Sequence, residues 1–247
     1  MQNVVNTLRI LEEVAVRQPV GVGELSRVLD LPKSTVQRAL RTLATAGWIR
    51  PAGGEVTRWV LTAKALHVGR HATGELSLRD AAVPVMEDLR RTTEETIHLA
   101  VPEGDSAVLI ERLETPKVLR IILPLGKTLP VHASANGKAI LAHSPPEVIE
   151  RHLTGGLVRH TATTITDPGR LRAELALIRE RGYSTNGGEW RDDIAAVAAP
   201  VLGRDGRPVA AISVSVPSMR MTADLYPEYG RLVIEAAATL AERLSTR

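Results

Sequence analysis

The most constraining stretch runs from Glu24 to Gly47, Glu-Leu-Ser-Arg-Val-Leu-Asp-Leu-Pro-Lys-Ser-Thr-Val-Gln-Arg-Ala-Leu-Arg-Thr-Leu-Ala-Thr-Ala-Gly. Two helical patterns meet here across a tight connection. Leu25, Val28 and Leu29 recur at i, i+3 and i+4 and so share a face. The second pattern opens at Pro32, a residue favoured in a first helical turn because its missing N–H would be unpaired there anyway. Val36, Leu40 and Leu43 then repeat at i, i+4 and i+7 and predict one buried stripe. The opposite face carries Lys33, Ser34, Thr35, Gln37, Arg38 and Arg41, with no carboxylate among them. An apolar back with such a front fits the recognition helix of a helix-turn-helix. In that setting Lys and Arg neutralise phosphates while Gln, Ser, Thr and Arg read base edges. A solvated helical hairpin in some other domain has the same periodicity.

The residues after the second helix narrow the choice. Gly47 is a natural stop for that helix. Trp48–Pro51 and Arg58–Leu61 read as two short strands, with Ala52-Gly-Gly-Glu55 as the turn between them. A hairpin directly after a recognition helix is the wing of a winged helix-turn-helix. Arg50 and Arg58 would flank a phosphate or a minor groove, or merely solvate an edge hairpin. Ahead of the motif, Val4, Leu8, Leu11 and Ala15 fall on one face of a helix over 4–16. After the wing, Thr62 is placed to cap a connecting helix from Ala63 to about His71. Leu66 and Val68 are available on it for packing, and a hinge or break is expected near Thr73-Gly74. His67 and His71 have an i, i+4 metal spacing but no further ligand nearby, so solvent-facing or packing roles fit them better.

With 247 residues the chain can hold two modest domains. Hydrophobic residues make up 44% and charged residues 24%, as in soluble globular proteins. No apolar run approaches the ~20 residues of a membrane span, and the charged, amphipathic N-terminus is unlike a signal peptide. Without cysteine there is no disulfide or thiolate chemistry. The expectation is a cytoplasmic protein without cofactor or metal. Charge is uneven. Residues 1–70 hold 10 Lys/Arg against 5 Asp/Glu, a net of +5, and the whole chain is +3, so residues 71–247 sum to −2. A basic front on a slightly acidic body suits a DNA-binding head joined to a domain with another task.

From Ser77 the pattern changes. A helix over 78–91 leads into strands at 96–101, 107–113 and 118–123, which read as an antiparallel meander. Helices are predicted at 134–142, 146–152 and 170–181. Strands at 194–201 and 209–216 come next, joined by a Gly203-Arg-Asp-Gly-Arg turn, and a closing helix runs over 222–244. The class is α+β. Two places are candidate ligand contacts. Ser134 caps a helix whose next amides, at Ala135, Asn136 and Gly137, are open donors at a positive dipole end, able to hold a carboxylate. A plain capped helix start explains the same residues. In Val209–Val216, alternation puts Ala211, Ser213 and Ser215 on one face and Ala210, Ile212, Val214 and Val216 on the other. Two hydroxyls on one face of an apolar strand need partners if buried and need none if that face is wet. Asn136-Gly-Lys138 is no phosphate loop, since His132 stands where that motif requires glycine.

Three stretches carry a resemblance: Leu31-Pro-Lys-Ser-Thr-Val-Gln-Arg-Ala-Leu-Arg-Thr-Leu43, Leu129-Pro-Val-His-Ala-Ser-Ala-Asn-Gly-Lys-Ala-Ile-Leu-Ala142, and the set Arg181-Gly-Tyr183, Val197-Ala-Ala-Pro-Val201 and Ala211-Ile-Ser-Val-Ser215. Over essentially its full length the chain resembles transcriptional regulators of the IclR family. The resemblance implies a winged helix-turn-helix at 1–62, a linker and dimerisation helix at 63–76, and a GAF-like effector-binding domain with an antiparallel sheet at 77–247. It also implies dimers or dimers of dimers on a palindromic operator, with a small organic acid as effector. The family's effector contacts fall at Ala135, Asn136, Asn186, Ile194, Ala196, Ser213 and Ser215. Three departures from the family pattern bear on the ligand. Asn186 stands where acid-binding relatives carry an acidic residue, Ala196 where cysteine is frequent, and Asp193 where glycine is common. They imply a polar, carboxylate-bearing metabolite larger than a two-carbon acid or differently charged.

Two other classes compete. An enzyme is disfavoured because no HExxH, GxSxG or Walker motif occurs and the histidines lack ligand spacing. A structural DNA-binding protein without a ligand would have little use for so large a second domain. The remaining expectation is an effector-responsive repressor of a catabolic operon.

Overall fold

The computed structural model describes residues 2–54, 56–69 and 73–246. The chain divides into two units, Met1–Leu76 and Ser77–Arg247.

In the first unit, α1 (Gln2–Arg17), α2 (Val22–Leu29) and α3 (Lys33–Thr45) precede a two-stranded hairpin of β1 (Ile49–Ala52) and β2 (Arg58–Leu61), and α4 (Lys64–Gly69) comes after it. Val36, Leu40 and Leu43 are buried as their spacing predicts, joined by Ala39. Pro32 stands one position earlier than expected, as the N-cap of α3. Gly47 takes a left-handed φ of +76°, which lets the chain leave the helix. The hairpin pairs Ile49 with Leu61 and Ala52 with Arg58, and its expected turn residue Glu55 lies outside the described residues.

Two helical faces differ from expectation. In α1 the buried side chains are Asn6, Ile10 and Val14, whereas Val4 and Leu8 are 64% and 53% exposed. The helix is apolar on two sides, and periodicity alone cannot tell which side the core takes. In α2, Leu25 and Leu29 are buried and Val28 is exposed. Thr62 Oγ1 accepts from the Lys64 amide (3.2 Å) at the start of α4, as expected of a cap. Leu66 and Val68 are exposed, and His71 lies outside the described residues.

Most of α5 (Thr73–Thr93), from Ser77 on, belongs to the second unit. Helix α4 ends at Gly69 and α5 begins at Thr73, so the break expected near Thr73-Gly74 falls just ahead of these residues, which form the first turn of α5. The sheet has six strands, all neighbours antiparallel, in the order β5-β4-β3-β8-β7-β6. These are β3 (Thr96–Glu103), β4 (Ser106–Leu113), β5 (Thr128–Leu129), β6 (Ser184–Gly187), β7 (Ile194–Leu202) and β8 (Pro208–Pro217). Three helices stand between β5 and β6: α6 (Ala135–Ala142), α7 (Pro146–Thr154) and α8 (Pro168–Arg181). The chain closes with α9 (Leu225–Ser245).

The expected meander keeps β3 and β4, but its third strand is β5 and not residues 118–123, and β3 pairs on its far side with β8. Residues 118–123 form no strand. Ile121 and Leu123 are buried, while Val118 is 96% exposed. The carbonyls of Leu119 and Leu123 are taken by the guanidiniums of Arg220 and Arg112, not by strand amides. The two-residue β5 occupies the β4 edge instead. The sequence reading missed β6, whose Ser-Thr-Asn-Gly has turn composition and no apolar side chain; pairing with β7 makes it a strand.

Four layers result. One face of the sheet packs on α5 and α9 through Val85, Leu89, Ile212, Val214, Val233 and Leu240. The other face packs on α6 through Ala135, Ala139, Ala196, Ala198 and Ala211. The back of α6 packs on α7 and α8 through Leu141, Ile149, Leu171 and Leu175. Every residue of α6 is therefore buried. Among the described residues no helix is long and apolar enough to cross a membrane.

Candidate functional sites

On α3, the side chains of Lys33, Ser34, Gln37, Arg38 and Arg41 are exposed and Thr35 is half-buried. The first turn of α3 carries no acid, and its N-cap Pro32 provides no side-chain bond. The leading amides are thus open to an anion. Lys33 and Arg58 line one groove with Arg27 and Glu24. Arg27 escaped the sequence reading because it sits on α2, outside the recognition helix. Arg58 Nη1 donates to the Pro19 carbonyl (2.7 Å) and lies 3.9 Å from Glu24 Oε2. This contact ties the base of the wing to the segment before α2, where Val20 bridges to Trp59. Arg50 is exposed, and its Nη1 reaches the Pro51 carbonyl at 3.4 Å.

In the second unit, sheet register gathers the candidate ligand residues. One row across the sheet reads Ser184, Ala198, Ser213, His98 and Arg112. The neighbouring row reads Asn186, Ala196, Ser215 and Thr96. Directly paired residues share a face, so Asn186, Ala196, Ser213 and Ser215 lie together, with Ile194 two positions along β7 from Ala196. Helix α6 covers this face. Ser134 Oγ caps it by accepting from the Gly137 amide (3.1 Å), leaving the amides of Ala135 and Asn136 as open donors. A Cβ on Gly137 would meet the Val131 Cα at 2.5 Å, so only glycine lets the helix start so close to the preceding loop. Ser184 Oγ donates to the Ala135 carbonyl (2.6 Å) and fixes the same turn to β6. The seven residues Ala135, Asn136, Asn186, Ile194, Ala196, Ser213 and Ser215 thus occupy one place.

Both serines are dry: Ser213 is 0% and Ser215 4% exposed. The half-solvated alternative is therefore set aside. Asn136 Nδ2 donates to Ser213 Oγ (3.0 Å), and His98 Nδ1 lies 3.0 Å from Ser215 Oγ. Two atoms of this cluster, Asn136 Oδ1 and His98 Nε2, are buried and have no partner. Burial, reinforced by the Arg112 guanidinium, holds the His98 imidazole down to about 3. Asn186 Oδ1 accepts from the Glu189 amide (2.7 Å). Asp193 adds no charge here, since it is 63% exposed and paired with Arg191 at 2.8 Å, which lowers its pKa.

Sequence reasoning missed His98, Lys138 and Glu189. Lys138 is 1% exposed, with its Nζ 2.7 Å from both carboxylate oxygens of Glu189. Burial raises the Glu189 pKa against the pull of Lys138. The signal for His98 was available: Thr96 and His98 alternate with Ile97 and Leu99 on β3. Among the described residues no group of three acidic or histidine side chains stands ready to hold a metal.

Comparison with known proteins decides the family. Residues 4–53 match the IclR helix-turn-helix domain, and residues 70–242 match the bacterial transcriptional regulator IclR C-terminal domain. The chain belongs to the IclR family of transcriptional regulators. It is 33% identical over 241 residues to the transcriptional repressor IclR of Escherichia coli, covering 96% of this chain and 88% of that protein. The IclR structure from Thermotoga maritima superposes with a TM-score of 0.82 at 27% identity, covering 99% of both chains. An IclR homolog from Microbacterium hydrocarbonoxydans, crystallised with 4-hydroxybenzoate, superposes with a TM-score of 0.83 at 28% identity, covering 99% of this chain and 100% of that one. Like those relatives, this IclR-family chain is a DNA-binding transcriptional regulator and not an enzyme.

Proposed function

We propose that this regulator is a repressor of a catabolic operon, released by a small organic acid bound between α6 and the sheet. The observation that carries the ligand reading is the buried cluster of Asn136, Ser213, Ser215 and His98 with its two unpartnered atoms. An unpaired buried polar atom costs about 1–3 kcal/mol, and a polar ligand there would remove that cost. The open amides of Ala135 and Asn136 supply a carboxylate site that needs no cationic side chain.

On the DNA side, Lys33, Ser34, Thr35, Gln37, Arg38 and Arg41 enter a major groove, and Arg50 approaches the flanking backbone. Arg58, already bonded to the Pro19 carbonyl, contributes more to wing placement than to reading. Exposed apolar side chains on α1 and α4 (Val4, Leu8, Leu66 and Val68) support pairing of heads in a homodimer, or a dimer of dimers, on a palindromic operator whose half-sites lie about one helical turn apart. The effector acts by binding one arrangement of the dimer better than the other. Its place of action is the cytoplasm, where operator and metabolite meet.

Mobility of labelled promoter DNA at fixed salt, with and without a panel of organic acids, tests the reading. The expected result is a specific shift that one acid reverses. A shift that no acid alters would overturn the effector half and leave the DNA half. Arg38→Ala should weaken operator binding by about 1–3 kcal/mol if the guanidinium reads a base. An unchanged footprint and affinity would remove Arg38 from the interface.

A further inference from the structure

The buried face holds polar chemistry that the recognised contact residues leave unused. His98 is 1% exposed and stands directly opposite Ser213 in the β3–β8 pair. Asn136 rests its amide nitrogen on that same Ser213. Opposed residues carry Cβ atoms about 5 Å apart, so the imidazole and the amide are neighbours. Each presents one atom with no partner, Nε2 from His98 and Oδ1 from Asn136. The apolar cluster on this face mixes alanines, among them Ala135, Ala139, Ala196 and Ala211, with larger side chains such as Ile140 and Ile194. The two bare atoms say what kind of group belongs beside them.

We propose that His98 is an effector contact, and that His98 Nε2 and Asn136 Oδ1 together bind the hydroxyl of a hydroxylated organic acid. The inference rests on the effector reading above. Asn136 Oδ1 can only accept. A buried, neutral imidazole has a single ring proton. We take the tautomer in which Nδ1 accepts from the Ser215 hydroxyl, so that the proton sits on Nε2 and Nε2 donates; the other tautomer would make Nε2 a second acceptor and favour the amino analogue. One acceptor beside one donor is met by a group that gives one hydrogen bond and takes another, and a hydroxyl is the smallest such group. An ammonium gives hydrogens and takes none; a methylene does neither. The acid's carboxylate lies at the Ala135 and Asn136 amides, so the molecule must carry both functions. A site built this way discriminates strongly, because an analogue lacking the hydroxyl leaves both protein atoms unpaired.

Titration calorimetry of the full-length protein with matched triplets tests this: lactate, alanine and propionate; malate, aspartate and succinate; 4-hydroxybenzoate, 4-aminobenzoate and benzoate. In the size class that binds, the hydroxy acid should be tighter than either analogue by about tenfold or more. His98→Phe should erase that preference; should His98→Phe not fold, His98→Leu serves as the second variant. Acids that bind without hydroxyl preference overturn the inference and leave the effector reading intact, as does preference for the amino analogue. Preference retained in a folded His98 variant also overturns it. Absence of binding by all nine at millimolar concentration overturns both.

Discussion

Along β8, Ala210, Ile212, Val214 and Val216 face α5 and α9, whereas Ala211, Ser213 and Ser215 face α6. Both faces are dry, with every one of these residues under 5% exposed. They differ in what fills them. The α5–α9 face is packed with branched and long side chains whose burial stabilises the domain in proportion to apolar area. The α6 face mixes alanines with hydroxyls, an amide and an imidazole, and it keeps two polar atoms unpaired. A core built only for stability would not carry such groups, since each costs more than a methyl in the same place. One strand thus separates a wholly apolar face from the mixed polar face on which the proposed effector site lies.

The largest effect should come from the support behind α6. Lys138 and Glu189 form a buried pair at 2.7 Å, with Glu174 at 3.8 Å from the same Nζ. Lys138→Met leaves Glu189 without its cation and should cost about 3–5 kcal/mol in urea unfolding. Lys138→Met combined with Glu189→Leu should return most of that loss, because the desolvation of both ions disappears. If the double variant is no better than the single one, the pair is not what holds α6 against β6.

Next comes a direct contrast on β8 itself. Ile212→Ala opens a cavity on the α5–α9 face and should cost about 2–4 kcal/mol, while effector response per folded molecule is unchanged. Ser213→Ala strands the Asn136 amide and should cost about 1–2 kcal/mol, while effector response is lost. Denaturant midpoints and operator release, measured on both variants, separate the faces. Equal losses of stability and response in both would erase the distinction.

Much of this organisation is legible in the sequence. The helix-turn-helix shows because its apolar residues repeat every three or four positions over two helices. The two faces of β8 show because its alternation is strict over eight residues. Where the reading failed, the deciding partner was distant or non-repetitive. In α1 two apolar rows competed, and the core chose Ile10 and Val14 over Val4 and Leu8. Residues 118–123 have strand composition, but arginine side chains took the carbonyls a neighbouring strand would need. His98 looked like a scattered histidine until the fold placed it against Ser215, 117 positions away. Lys138 is one polar residue in a predicted helix, and nothing nearby in sequence marks Glu189, 51 positions on, as its partner. Periodicity reports which way a side chain points, and only tertiary pairing reports what it meets.

A further expected effect, seen only as a difference between two pH values, bears on how dry the α6 face is. Burial holds His98 down to about 3, against an ordinary value of 6.5. Below pH 6.5 the unfolded chain therefore binds a proton that the folded chain refuses. Stability from this group is complete above pH 6.5 and drains as pH falls toward 3, at up to about 1.4 kcal/mol per pH unit. His132, His143 and His152 are lowered by burial too and drain stability in the same direction, so the measurement must be a difference. Between pH 7 and pH 5 the parent protein should lose about 2 kcal/mol more than His98→Phe in urea unfolding. Parallel losses would mean that the folded protein can charge His98, which requires water at the imidazole. The α6 face would then be a wet pocket in the free protein, and its two unpartnered atoms would be hydrated before any effector arrives.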